Sequence, residues 1–267
     1  MGTHARPIQE ACLVPARVLD RRLMINALGH PFWVTLGGSL ADMVAWKGGM
    51  PPNPHFLAQQ LYLGRSLSPF FLTCAAYFIL WIPEDPPSWV GALVKCLPVL
   101  CLAGFLRACA SGHYSSLLQV ALLFSAFGDG FLIWPETFLY GVAAFTEAQL
   151  LYVWAFGLTP LQPGLLLPIV LASLPFGGLL LLHLSPDKAL PLTAYILALA
   201  TMLWRGLARG GSAHWGALFF AISDAVLAYH TFIQPLPYSR LAVMATYYAA
   251  QFLISLSAFQ SPRLKTS

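Results

Sequence analysis

The chain has 267 residues, of which 58% are hydrophobic and only 9% charged, and a mean hydropathy of +0.70. Soluble domains carry about 25% charged residues, so a water-soluble globular fold is excluded and a multispan membrane protein is indicated. The net charge of +4 is small and scattered, which argues against a nucleic-acid partner.

Residues 1–64 stand apart from the rest. They hold Arg6, Arg17, Arg21 and Arg22 and the proline-rich run Pro51-Pro52-Asn53-Pro54. Pro31–Trp46 is moderately apolar but is broken by Gly37, Gly38 and Asp42. Met1–Arg22 lacks the apolar run of a secretory signal. The expectation is a flexible or loosely interfacial extension, followed by a membrane domain over residues 65–267.

A helical span needs about 20 mostly apolar residues. Eight candidates follow in order: Leu67–Ile82, Trp89–Leu106, Ser115–Trp134, Phe138–Phe156, Leu165–Leu184, Leu190–Trp204, Ser212–Tyr229 and Leu241–Phe259. Short connections carry the breakers Pro83-Glu84-Asp85-Pro86-Pro87, Pro135-Glu136, Thr159-Pro160, Pro186-Asp187, Gly210-Gly211 and Pro235-Leu236-Pro237. The predicted class is an all-α polytopic bundle of about eight transmembrane helices. Cys12, Cys74, Cys96, Cys101 and Cys109 show no CxxC spacing and read as small buried residues; no metal site is expected.

With both ends on one side, that side collects Arg65, Arg107, Arg205, Arg209, Arg263 and Lys265, against Lys188 and Arg240 on the other. The positive-inside rule then places both termini in the cytosol.

Polar residues inside apolar spans are costly and usually line a functional cavity. Asp129, in Phe124-Ser125-Ala126-Phe127-Gly128-Asp129-Gly130-Phe131-Leu132, and Asp224, in Phe219-Phe220-Ala221-Ile222-Ser223-Asp224-Ala225-Val226-Leu227, occupy near-copies of one pattern. In the span after each, Phe145 to Leu151 resembles Tyr247 to Leu253, which pairs Gln149 with Gln251. The second and sixth spans end alike, in Phe105-Leu106-Arg107 and Leu203-Trp204-Arg205. Spans one to four thus read as a copy of spans five to eight, two parallel four-helix repeats related by an axis along the membrane normal.

At 1.5 Å rise per residue, Lys95, Asp129, Tyr195, Asp224 and Tyr247 fall within about one turn of a common level. Together they make a polar pocket; the bland alternative is a Lys95–Asp pair that only holds helices together. Glu147 and Gln149 are two residues apart and face roughly opposite sides of a helix, so one of them points inward. Gln149 is favoured because Gln251 matches it. His183, His214 and His230 lie near span ends and read as interfacial packing.

From about Ser66 to Phe259 the sequence resembles the lysoplasmalogenase (YhhN-like) family. The resemblance is carried by Trp81-Ile82-Pro83-Glu84-Asp85, by Leu93-Val94-Lys95-Cys96-Leu97-Pro98 and the residues through Phe105, by Leu151-Tyr152-Val153-Trp154-Ala155-Phe156-Gly157, by Trp204-Arg205-Gly206-Leu207-Ala208, and by Met244-Ala245-Thr246-Tyr247-Tyr248-Ala249-Ala250-Gln251. It implies hydrolysis of the vinyl-ether bond of lysoplasmalogens to a fatty aldehyde and glycerophosphoethanolamine or glycerophosphocholine. No cofactor and no metal are implied, and the setting is the endoplasmic reticulum membrane. The implied partners are the lysophospholipid substrate and membrane lipid; a homodimer is compatible with this. Two departures stand out. The family usually has His where Gln149 stands, and its pattern begins near Arg65.

The chemistry suits the pocket. A vinyl ether is hydrolysed by protonation of its β-carbon, which leaves an oxocarbenium ion; water adds, and the hemiacetal collapses to aldehyde and alcohol. Two carboxylates can divide the tasks of acid and counter-anion, as glycosidases do with a similar cation. Asp129 and Asp224 are the candidate catalytic pair, with Lys95, Gln149, Tyr195, Tyr247 and Gln251 as substrate-binding or supporting groups. The competing class is a proton-coupled lipid or small-molecule transporter, which parallel repeats and midplane acids also suit; a third is a non-catalytic membrane scaffold.

The basic bias yields a test of topology. A C-terminal tag is expected to be digested by protease added outside sealed microsomes, and protection of the tag would reverse the orientation.

Overall fold

The computed structural model describes residues 54–83 and 86–260, with side chains from Gly64 onward, and the account below concerns the compact unit Gly64–Ser267. Most of the expected N-terminal extension lies outside the described residues, as do Arg263 and Lys265. The described residues form α1 Pro54–Leu80, α2 Trp89–Cys109, α3 His113–Phe131, α4 Phe138–Phe156, α5 Leu166–His183, α6 Pro186–Arg209, α7 Gly211–Phe232 and α8 Ser239–Leu256. Short 3₁₀ turns at Pro135–Thr137, Pro163–Leu165 and Ser257–Phe259 complete the path. No strand occurs among the described residues.

The chain is therefore an all-α, multi-pass membrane protein. The segments Trp89–Cys109, Pro163–His183, Pro186–Arg209 and Ser239–Phe259 are long and apolar enough to cross a bilayer by length and composition alone. Three of the remaining helices carry the polar residues that interrupt their hydropathy: Asp129 on α3, Glu147 and Gln149 on α4, and Asp224 on α7.

Two helices begin earlier than the apolar pattern predicts. Pro186-Asp187, read as a loop, opens α6 instead. Proline at a helix start lacks only an N–H that would be unpaired anyway, and aspartate in the first turn complements the positive end of the dipole. Likewise α1 starts at Pro54 rather than near Leu67, so residues 54–64 of the expected extension are helical. Between α6 and α7 a single residue, Gly210 at φ 78°, closes one helix and opens the next. That backbone conformation favours glycine.

The surface is built for lipid. Ile79, Trp89 and Leu182 are each about 80% exposed, whereas Asp129, Gln149, Arg205 and Gln251 are at most 3% exposed. In hydrocarbon no water competes for backbone groups, so helices associate through close packing and small residues at their contacts. Gly206 on α6 lies against Ala217 on α7, and Gly216 on α7 lies against Ile254 and the Ala250 carbonyl on α8. Val142, Leu180 and Leu192 form an apolar cluster joining α4, α5 and α6. Helix α1 reaches α8 through stacked rings of Phe70 and Phe252, with centroids 5.4 Å apart.

Arg205, counted above among the cytosolic loop cations, is fully buried. Its Nε donates to the Gly157 carbonyl (2.6 Å) and its Nη1 to that of Pro160 (3.0 Å), so it ties the end of α4 and the loop beyond it to α6. A cation at a helix C-terminus satisfies carbonyls the helix leaves open.

The contact at Gly216 predicts a stability change. A β-carbon there would sit 2.7 Å from Ile254 Cγ1 and 2.9 Å from its backbone nitrogen. Gly216→Ala is expected to destabilise the bundle by about 1–3 kcal/mol, the usual cost of overpacking. It would appear as a lower melting temperature in detergent, and an unchanged one would show that α7 and α8 are less tightly joined.

Candidate active site

The polar residues of the apolar spans converge near one end of the bundle. Asp129 lies in the last turn of α3, where the chain folds into α4 through packing of Gly128 against the Phe145 ring. A β-carbon at Gly128 would approach that ring to 2.5 Å, so glycine lets α3 and α4 close beside the carboxylate. Asp129 is 3% exposed and accepts a hydrogen bond of 2.7 Å from the Tyr247 hydroxyl of α8. Lys95, in the second turn of α2 and half-buried, acts electrostatically on Asp129.

Asp224 lies two turns before the end of α7 and accepts a hydrogen bond from the Tyr195 hydroxyl of α6. Asp129 acts electrostatically on Asp224. The two acids are therefore held differently: buried Asp129 by a tyrosine from α8, with Lys95 of α2 acting from beyond ion-pair distance, and half-buried Asp224 by a tyrosine from the adjacent helix. A buried carboxylate requires such partners, because an unpaired charge in low dielectric is prohibitively costly.

Gln149 is buried and the neighbouring Glu147 is exposed. Gln149 lies near the Tyr195 hydroxyl but outside hydrogen-bonding geometry, and both its amide atoms lack a protein partner. Gln251 is equally buried; its carbonyl oxygen accepts from the Tyr152 hydroxyl at 2.6 Å, while its amide nitrogen has no partner. Buried polar atoms without partners are rare in folded proteins, so the cluster has room in its hydrogen bonding for a further molecule.

Three neighbours escaped the sequence reading. Tyr152 is fully buried and follows Gln149 by three residues, so helical spacing from Gln149 was the available signal. Tyr248 donates to the Lys95 carbonyl at 2.8 Å. Arg240 donates from Nε to the Tyr77 hydroxyl at 3.1 Å, and had been read only as a loop cation. The histidines behave as end-of-helix groups: the Leu236 N–H donates to His230 Nδ1 at 2.8 Å. Among the described residues Cys74, Cys96, Cys101 and Cys109 are free thiols, and no cluster of metal-ligating side chains occurs.

Several known proteins are similar to this chain. Lysoplasmalogenase TMEM86B of pig is 69% identical over 220 residues, covering 82% of this chain and 97% of the relative. Lysoplasmalogenase TMEM86B of human is 61% identical over 225 residues, covering 84% of this chain and 100% of the relative. A lysoplasmalogenase of Mycobacterium tuberculosis is 32% identical over 164 residues, 55% of this chain and 62% of that one. A match over 84% of the chain is longer than residues 65–267, so the likeness extends upstream of Arg65, where the sequence pattern had been taken to begin. No solved structure matches. Residues 90–258, the stretch that contains every polar group of the cluster, match the YhhN family, and the chain belongs to that family.

Proposed function

We propose that this protein hydrolyses the vinyl-ether bond of lysoplasmalogens, releasing a fatty aldehyde and glycerophosphoethanolamine or glycerophosphocholine, with Asp129 and Asp224 as the acid/base pair. The observation that carries this reading is a carboxylate on each of two separate spans, each bound by a tyrosine hydroxyl, inside an apolar bundle. The similarity to lysoplasmalogenases of pig and human supports the reaction class.

One of the two acids is protonated and delivers its proton to the β-carbon of the vinyl ether. The oxocarbenium ion that results is balanced by the other carboxylate. Water adds to the cationic carbon and gives up a proton to a carboxylate. The hemiacetal hydroxyl then gives its proton to a carboxylate as the bond to the glycerol oxygen breaks, and that oxygen takes up a proton from the protonated acid. No net proton is consumed: one water is added across the ether linkage. Two like-charged acids held close together favour sharing a single proton, the state this sequence of steps requires. Lys95 balances Asp129, and Tyr195, Tyr247, Gln149 and Gln251 orient the acids and the water. The alkenyl chain lies among the helices, where the lining is apolar.

The same reading places all eight helices across the endoplasmic reticulum membrane with both termini cytosolic, and treats residues 65–267 as the catalytic domain. Polar spans that fall short of ordinary hydropathy are what a bundle with an internal reaction site requires.

Purified protein in detergent, given lysoplasmalogen, is expected to release aldehyde. Asp129→Asn should reduce that rate by about 10²–10⁴-fold, the usual contribution of a positioned general acid. Asp224→Asn should cost a similar factor, because a unit of two groups fails when either is removed. Turnover within a few-fold of wild type in the folded Asp129→Asn protein would reduce the cluster to a packing network. Flux of lipid across vesicles without product would favour a transporter.

Gln149→His offers a separate check. The position is buried, lacks hydrogen-bond partners and adjoins Tyr195. A histidine there can carry a proton, so aldehyde release is expected to equal or exceed wild type; a collapse in rate with the fold intact would remove position 149 from the proton path.

A further inference from the structure

Tyr152 of α4 is fully buried, and the reaction outlined above leaves it without a part. Its hydroxyl donates to the Gln251 carbonyl oxygen of α8 at 2.6 Å. An amide that accepts on its oxygen turns its nitrogen the other way. That nitrogen has no bonded partner, and Gln251 lies beside Tyr247, one turn back on the same helix. Tyr247 in turn donates to Asp129 at 2.7 Å. The donors therefore run in one direction, from Tyr152 through Gln251 and Tyr247 to Asp129. An N–H facing the Tyr247 oxygen leaves that hydroxyl its own proton for the carboxylate, so Tyr247 gives a hydrogen bond to Asp129 and does not receive one. The other titratable groups that interact with Asp129 are Lys95, Cys96, Tyr248 and Asp224, and of these Lys95 supplies positive charge.

The second acid has the same kinds of neighbour without this lock. Gln149 lies beside Tyr195, whose hydroxyl bonds Asp224, but both amide atoms of Gln149 lack partners. In the register that pairs Gln149 with Gln251, Tyr152 matches Ile254, which has no hydroxyl. Gln149 can thus turn either amide atom toward Tyr195, and Tyr195 can give or receive the hydrogen bond with Asp224. We propose that Tyr152 is a positioning residue that, through Gln251, holds Tyr247 as a donor to Asp129, so that Asp129 is kept as the ionised counter-anion and Asp224 is left as the acid that protonates the vinyl ether. This rests on the hydrolase reading given above and assigns its two roles. A hydrogen bond donated to a carboxylate favours the charged form, whereas a neighbour able to accept tolerates the protonated one.

Infrared difference spectroscopy reads this assignment without any turnover. Spectra of the full-length protein in detergent, wild type minus Asp129→Asn, isolate the bands of that one side chain. An ionised carboxylate is expected, and a protonated carboxyl would overturn the proposal. In a Tyr152→Phe background the same subtraction is expected to show a protonated fraction, because the Gln251 amide can then turn over and take the Tyr247 proton for itself. An unchanged carboxylate there would remove Tyr152 from the relay. Should Tyr152→Phe not fold, Gln251→Met, which deletes the amide, must give the same spectral change. In turnover, Tyr152→Phe should lower kcat about tenfold at unchanged KM, the scale of one hydrogen bond to a charged group. It should cost nothing further in a Tyr247→Phe background, since it acts through that hydroxyl; losses that multiply would make Tyr152 a packing residue and overturn the proposal. The expected spectra without aldehyde release by wild type would leave the relay standing and sink the hydrolase reading. Aldehyde release with a protonated Asp129 would do the reverse.

Discussion

Desolvation governs this structure. A carboxylate placed among hydrocarbon has no water to satisfy it, so each acid must find donors and counter-charge from other helices before the bundle can close. Tyr247 bonds Asp129, Tyr195 bonds Asp224, and Lys95 acts on Asp129 from beyond ion-pair distance. These partners come from α8, α2 and α6, so satisfying the acids also fixes which helices stand next to α3 and α7. The small residues follow from the same demand. Gly128, Gly206 and Gly216 remove side-chain bulk where helices must approach closely enough for short polar side chains to meet.

Two of the helix contacts are compatible with the repeat expected from the sequence. Helix α2 packs on α8 and α4 on α6, pairs that exchange into one another when the halves are swapped. The polar groups depart from this symmetry. Tyr247 bonds the acid of the other half, whereas the residue that matches it, Phe145, has no hydroxyl and instead packs its ring against Tyr247 at 6.1 Å. Gln149 and Gln251 match in sequence and are both buried, yet only Gln251 has a hydrogen-bond donor. Such asymmetry gives two chemically alike acids different surroundings, which is what a division into proton donor and counter-anion requires.

Cations at the two ends have different work. Arg205 and Arg209 bond the final carbonyls around α4 and its loop, at the end read as cytosolic. Lys95 and Arg240 stand at the opposite end, beside the acids. The positive-inside count treated Arg205, Arg209 and Arg240 as loop charges, but Arg205 is fully buried and its positive charge is taken up by backbone carbonyls.

Composition and periodicity by themselves determined the class and the order of the eight described helices, because lipid excludes unpaired polarity and leaves few alternatives for a stretch of apolar residues. Even the choice between Glu147 and Gln149 could be made from helical spacing and the match to Gln251. Boundaries such as Pro186 were hidden because a proline reads as a breaker within a pattern yet is well suited to a first turn. What only the tertiary structure decided is pairing: that Tyr247 serves Asp129 from over a hundred residues away, that Tyr152 reaches Gln251, and that Arg240 sits against Tyr77 and Trp81 beside Lys95. Hydropathy records how deep a residue lies but not its direction around the helix axis relative to six or seven neighbours, and hydrogen bonds depend on that direction.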